Sequence, residues 1–356
     1  MAPVVRALAG SGEIRSAVCV TAQHRGMLDQ VLELFHILPD YDLDLMRPDQ
    51  SLAELSAAIF THLDGVLEDF SPDWVLVQGD TTTVAMTALL AYYRRTRVGH
   101  VEAGLRTHDK WQPFPEEINR RVAGAAADLH FAPTEWARQN LLNEGVRDES
   151  IAVTGNPVID ALQFVAGQPE PEQVRSLIRQ LGIGEDRRLV LVTAHRRENF
   201  GRPLEDICGA LEDLATRGGV EIVYPVHLNP HVQEPVTRLL SGIEHVTLLP
   251  PLDYLPLVHL MKRAALILTD SGGIQEEAPA FGVPVLVLRQ VTERPEGVQA
   301  GALKLVGTDR AAIVRAARDL LDDPSAYAQM AKASNPYGDG HAAERILQAL
   351  LAYPRN

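Results

Sequence analysis

Cysteine is nearly absent: Cys19 and Cys208 are the only two in 356 residues. Each sits in an apolar context, Val18-Cys19-Val20 and Ile207-Cys208-Gly209. Buried free thiols in a reducing compartment are therefore expected, not a disulfide framework. Cys/His spacing of the metal-binding kind is also lacking. No apolar run approaches the roughly 20 residues that a membrane span requires, and no signal peptide opens the chain, so the expected location is the cytoplasm. Positive charge is in deficit, with 33 Lys and Arg against 47 Asp and Glu and a net charge of −14. That balance argues against nonspecific binding to nucleic acid or membrane, yet a local positive pocket for a small anion remains compatible with it. Internal repeats, low-complexity tracts and heptad runs are missing too.

What is present is an ordinary globular composition, 46% apolar and 22% charged. The length exceeds one ordinary core, so two domains are expected. Short β-branched runs alternate with longer helical patterns. Strands are expected over Ala17–Thr21, Trp74–Gln78, Val98–Glu102, Leu129–Ala132 and Ile151–Thr154. A second series covers Leu189–Thr193, Glu221–Val226, Val246–Leu249, Ala265–Thr269, Val285–Leu288 and Leu303–Val306. Helical patterns include Met27–Leu38, Leu52–Phe70, Val84–Arg94 and Glu116–Ala127. Such alternation signals βαβ units and parallel sheets. Gln168-Pro-Glu-Pro171 interrupts the pattern and reads as a hinge. The expectation is an α/β fold of two doubly wound parallel-sheet (Rossmann-like) domains facing a cleft. Residues 1–167 form the first domain and 168–338 the second, and a last helix within 339–356 packs back on the first. Ligands of such sheets sit at the carboxyl ends of the strands.

The strand-end rule selects candidate groups. Leu268-Thr-Asp-Ser-Gly-Gly-Ile-Gln-Glu-Glu-Ala278 reads as a strand, a glycine turn and a helix start. Backbone N–H groups at Ser271, Gly272 and Gly273 suit a phosphate, and Glu277 lies within reach of ribose hydroxyls. The competing reading is a capped helix whose glycines only permit the turn. In the first domain Asp80 and Glu102 close two strands, and Glu116 follows Pro115 near a helix start. Three acids would then converge. Asp80 has a competing reading as an N-cap, and Glu116 as a first-turn partner of the helix dipole. Glu102, between Val101 and Ala103, occupies a costly place for an unpaired charge. His195, at a strand end beside Arg196 and Arg197, points to an anion, and His227 ends another strand. A structural histidine is the competing reading for both. Arg294 is a weaker candidate that also reads as half of a surface charge pair. Thr21-Ala-Gln23-His24-Arg25 offers polar groups at a further strand end, or merely a surface helix start.

Taken together, these stretches resemble the non-hydrolysing UDP-N-acetylglucosamine 2-epimerases. The resemblance rests on Thr21–Arg25, Val77-Gln-Gly-Asp-Thr81, His100-Val-Glu-Ala-Gly-Leu-Arg-Thr107, Pro115-Glu-Glu-Ile-Asn-Arg120, Thr154-Gly-Asn-Pro157, Thr193-Ala-His-Arg-Arg-Glu-Asn199, Asp270–Glu277 and Thr292-Glu-Arg-Pro-Glu296, in order along nearly the whole chain. It implies the two-domain glycosyltransferase B-type architecture. It also implies interconversion of UDP-N-acetylglucosamine and UDP-N-acetylmannosamine, a precursor step for cell-surface polysaccharides, through loss of UDP to 2-acetamidoglucal and re-addition with inversion at C2. By resemblance Asp80, Glu102 and Glu116 are the catalytic carboxylates, with acid and base unassigned, and His195 braces the departing diphosphate. Ser271, Gly272 and Gly273 hold the diphosphate, Glu277 the ribose, and Leu252 and Leu257 line the uracil pocket. An aromatic residue is often found in place of Leu257. Arg294 is a further binding position. Gln23, His24, Arg196 and His227 resemble a second site, where UDP-N-acetylglucosamine acts as activator. A homodimer is implied; neither a redox cofactor nor a catalytic metal is required.

One departure stands out. Family members open with a strand and a Gly-Thr-Arg-Pro-Glu loop, whereas this chain opens at Met1-Ala-Pro-Val-Val5. The first strand of the N-terminal sheet is therefore expected to be missing, along with positive charge from the pocket. The readings that compete with epimerisation are a hydrolysing relative, a glycosyltransferase of the same fold, and an inactive nucleotide-sugar sensor.

Overall fold

The computed structural model describes residues 1–21, 25–47, 50–184 and 187–354. The chain forms two compact units, one of Met1–Ala161 with Tyr337–Asn356 and one of Leu162–Pro336.

In the first unit the strands β1 (Cys19–Val20) and β2 (Tyr41–Asp42) pair in parallel. A separate parallel sheet holds β3 (Trp74–Gln78), β4 (Arg97–Val101), β5 (Leu129–Ala132) and β6 (Ile151–Val153), in that order. The single sheet expected here is thus divided among the described residues: the four-stranded sheet begins at β3, and the other sheet has two strands. The residues from Ala2 to Gly10 are helical. Sequence periodicity does not reveal β2, because two residues are too few to show alternation. Helix Leu52–Phe70 starts on a capping box, with Ser51 and Glu54 exchanging hydrogen bonds, and stops where Ser71 turns left-handed at φ +48°. Its Leu55, Ile59, Leu63 and Leu67 recur every four residues and bury one stripe against Leu45 and Leu90. The last helix, Ala342–Ala352, places Ala343 and Ile346 against Val4, Leu8, Leu129 and Phe131. Its N-cap His341 makes no side-chain cap bond. Asp160 caps it from a distance instead, accepting from Ala342 N at 3.2 Å and Ala343 N at 2.8 Å.

The second unit is one six-stranded parallel sheet. Its strands are β7 (Arg188–Thr193), β8 (Val220–Pro225), β9 (Val246–Leu249), β10 (Leu266–Thr269), β11 (Val285–Val287) and β12 (Leu303–Leu305). Helices on both faces explain why β7, β10 and β11 read as nearly unbroken apolar runs. The order across the sheet is β12-β11-β10-β7-β8-β9. From β7 the chain builds outward to β9, returns to the middle, and builds the other way from β10. The direction reverses between β7 and β10, where Thr193 and Thr269 are in register and their hydroxyls meet at 2.6 Å. In open α/β sheets such a reversal point is where ligands bind.

Gln168–Pro171 separates helices Pro157–Ala166 and Glu172–Gln180, and Glu170 accepts two bonds from Arg263, both at 3.1 Å. Both cysteines are free; Cys208 is buried, whereas Cys19 is only partly so, a correction to the expected burial. Burial pushes the thiols up to about 11 for Cys19 and about 12 for Cys208. Among the described residues no helix is long and apolar enough to cross a membrane.

Candidate functional site

Two sets of polar groups gather at strand ends, one in each unit. In the first, β3 runs into Gly79, whose φ of +84° lets the chain turn at once. Asp80 follows, and its carboxylate forms an ion pair with Arg120. Asn119 Nδ2 donates to the Asp80 carbonyl at 2.9 Å. Asp80 is not the N-cap: Thr81 caps helix Thr82–Tyr93, its Oγ1 accepting from Val84 N at 3.4 Å. The capping reading of Asp80 is thereby overturned.

Glu102 stands just past β4 at φ +63°, a region that few residues with a side chain occupy. Backbone strain of this kind concentrates at functional sites. Gln78 Nε2 donates to Glu102 Oε2 at 3.3 Å, so the ends of β3 and β4 are tied through side chains. Glu116 is the first residue of helix Glu116–Ala126, and its Oε2 is buried without a hydrogen-bond partner. Glu116, Asn119 and Arg120 share a helix face by their i, i+3, i+4 spacing. Two of the three touch Asp80, which brings the start of this helix to the end of β3. Glu117 is scaffold: fully buried, it accepts from Thr107 N at 3.0 Å and His108 N at 3.2 Å.

Two residues here escaped the sequence reading. His100 is buried in β4 with Nε2 at 2.8 Å from the Gly79 carbonyl. Burial pushes it down to about 4, so the ring is neutral at pH 7 and donates from Nε2. Arg120 is 5% exposed, and its Nε and Nη1 lack acceptors. The available signals were a histidine inside an apolar strand and an Asn-Arg pair one turn after Glu116.

In the second unit the reversal point is organised by Asp270, which is 0% exposed. Its carboxylate accepts from His195 N at 2.9 Å, Arg196 N at 2.8 Å and Asn199 Nδ2 at 2.9 Å. One buried carboxylate therefore fixes the loop after β7 against the turn after β10. His195 Nδ1 lies 3.7 Å from Asp270, and its ring stacks on His227 at 5.3 Å. Burial lowers the His195 pKa; Asp270 opposes that shift, while His227 and Arg196 add to it. His227 Nδ1 accepts from Asn229 N at 3.0 Å. Arg196 is half-buried, 3.9 Å from Glu293.

Ser271 makes no side-chain cap bond, so the capped-helix reading of this turn is corrected. Its N–H goes to Thr269 Oγ1 at 2.9 Å. Gly272 and Gly273 open helix Gly272–Glu277, where backbone N–H groups have no partner within the helix. Gly272 is required for space: a Cβ there would lie 2.6 Å from Arg294 Nη1 and 2.8 Å from its Cζ. Arg294 is not the surface pair considered from sequence. It is 8% exposed and paired with Glu276 and Glu293, each at 2.6 Å. Glu277 is 5% exposed and accepts from Tyr254 OH at 2.6 Å. Burial pushes Glu277 up to about 7. Tyr254 begins helix Tyr254–Arg263, which also carries Leu257; Leu252 precedes it, and both leucines are half-buried. Asp270 and Tyr254 were not selected from sequence, although Asp270 adjoins Ser271 and Tyr254 lies between Leu252 and Leu257. Gln23 and His24 lie outside the described residues.

Fold and sites together define a Rossmann-like α/β protein of the glycosyltransferase B-type class, with polar groups at the carboxyl ends of both sets of strands. The sequence profile of the UDP-N-acetylglucosamine 2-epimerase family matches residues 6–351. A probable UDP-N-acetylglucosamine 2-epimerase of Ralstonia solanacearum is 57% identical, over 99% of this chain and 95% of that protein. The UDP-N-acetylglucosamine 2-epimerase of Escherichia coli K12 is 55% identical, over 98% and 94%. A crystal structure of the Neisseria meningitidis enzyme bound to UDP-GlcNAc superposes with a TM-score of 0.90 at 47% identity, covering 99% of this chain and 96% of that one. The chain belongs to the UDP-N-acetylglucosamine 2-epimerase family.

Proposed function

We propose that the protein interconverts UDP-N-acetylglucosamine and UDP-N-acetylmannosamine through 2-acetamidoglucal. The observation that carries this reading is the clustering of Asp80 and Glu102 at adjacent strand ends, with helix Glu116–Ala126 anchored on Asp80. The proton at C2 is not acidic while the ring is neutral. Breaking the C1–O bond to UDP builds positive charge on the ring, which carboxylates stabilise. A positioned carboxylate then removes the C2 proton, and a C1=C2 double bond forms. Return of the UDP oxygen to C1, with a proton delivered to the opposite face of C2, gives the epimer. Groups on both faces are needed, and Asp80, Glu102 and Glu116 supply them. Ser271, Gly272 and Gly273 take the diphosphate beside His195, Glu277 the ribose, and Leu252 and Leu257 the base. Support for the substrate comes from the Neisseria structure with UDP-GlcNAc. Arg294 acts by holding the turn at Gly272, since its guanidinium is committed to Glu276 and Glu293. In the same reading the enzyme is a cytoplasmic homodimer, and Arg196 and His227, with Gln23 and His24, take a second UDP-N-acetylglucosamine as activator.

Incubation with UDP-N-acetylglucosamine in heavy water tests the reaction. Deuterium at C2 of intact nucleotide sugar in both epimers is expected. Free labelled N-acetylmannosamine would identify a hydrolase, and an absence of exchange would reject catalysis by this route.

A further inference from the structure

We propose that Tyr254 is a positioning residue of the nucleotide seat: its hydroxyl pins one oxygen of Glu277 and leaves the other to accept from the ribose. The inference rests on the reading of Glu277 as the ribose ligand. Tyr254 OH donates to Glu277 Oε1 at 2.6 Å, and Glu277 is 5% exposed, so this contact sets the carboxylate's rotation. Tyr254 and Leu257 are three residues apart on one helix and share a face. One turn of helix thus serves both the base side and the ribose side of the seat.

The charged surroundings of Glu277 are sparse. Glu276, its neighbour on the same helix, is paired with Arg294 at 2.6 Å, a guanidinium it shares with Glu293. From helix Tyr254–Arg263 the titratable group facing it is Tyr254, and the following segment Ala278–Phe281 has none. Burial and the Glu276 charge raise Glu277 to about 7, while the tyrosine bond opposes them. A protonated Glu277 loses an acceptor oxygen. Affinity for a ribose-bearing ligand should therefore fall as pH drops through about 7. Without the hydroxyl, the charged form loses its support and the fall should begin at higher pH.

Titration of UDP and 2′,3′-dideoxy-UDP into wild type and Tyr254→Phe, between pH 6 and pH 9, tests this. Wild type is expected to prefer UDP by about tenfold at high pH. Tyr254→Phe should weaken UDP roughly five- to tenfold at pH 7 and move the pH midpoint up by about one unit, with dideoxy-UDP binding unchanged within about twofold. Unchanged dideoxy-UDP binding also shows that the variant is folded. Equal losses for both ligands, or an unmoved midpoint, would overturn the role of Tyr254. Failure of wild type to distinguish the two ligands would instead remove the ribose reading of Glu277 on which it rests.

Discussion

A carboxylate beside the end of a buried sheet is costly unless donors meet it. Asp80 has Arg120, Glu102 has Gln78, and Asp270 has the N–H groups of His195 and Arg196 with the Asn199 amide. The difference in surroundings sorts their roles. Asp270 is fully enclosed and faces only protein donors, which makes it a brace. Asp80 keeps 23% side-chain exposure and so remains able to face a substrate. Replacing Asp80 by Asn or Glu102 by Gln should lower turnover about 100-fold or more, the scale of an acid–base or electrostatic group. Steady-state rates near wild type in both variants would withdraw the catalytic assignment. Sequence located these acids because a charge directly after an apolar strand is conspicuous. It missed Arg120, His100 and Tyr254 because their importance lies in partners distant along the chain.

At the scale of elements, the turn from β10 into helix Gly272–Glu277 is governed by packing as much as by ligand chemistry. A Cβ at position 272 would meet the guanidinium of Arg294, which Glu276 and Glu293 hold in place. At position 273 the nearest atom would be Ser271 Oγ, at 4.0 Å. Gly272→Ala should therefore lose about 1–3 kcal/mol of stability from overpacking. Gly273→Ala should be neutral or slightly more stable, since alanine favours helix over glycine. Urea midpoints at constant slope would distinguish the two, and equal behaviour would refute the space argument. Element ends read from sequence coincide with the observed ones in about half of the cases, as at Trp74–Gln78 and Leu52–Phe70, and otherwise differ by one to four residues. Helix Arg25–Leu34 stops short of the expected Leu38, and Phe35 is 2% exposed just beyond its end. Fraying and local capping, rather than periodicity, set such ends.

At the scale of the molecule, the first unit contains two buried histidines, His100 and His130, each pushed down to about 4 by burial from an ordinary 6.5. The unfolded chain therefore takes up protons first as pH falls. Their contribution is fully present above about 6.5 and is lost progressively as pH drops to about 4. The slope should reach roughly 1.4 kcal/mol per pH unit for each histidine. Urea unfolding at pH 7 and pH 5 measures it, and His130→Gln should flatten the dependence. A flat profile in wild type would show that these rings already bind protons in the folded state. The second unit gathers its candidate groups differently, at the reversal of strand order between β7 and β10.

The amino-acid sequence by itself determined the alternation of strands and helices, the parallel α/β class and the family, because periodicity and strand-end polar motifs are local in the chain. It also located Asp80, Glu102, His195 and Ser271–Gly273 at strand ends. Tertiary structure alone decided that the first unit's strands form two sheets, that β7 and β10 lie side by side, and that Arg120, Asp270 and Tyr254 each hold a candidate residue in place. Hydrogen bonds and ion pairs at these sites join residues 23 to 75 positions apart. Such contacts depend on how whole elements pack, which no local pattern records.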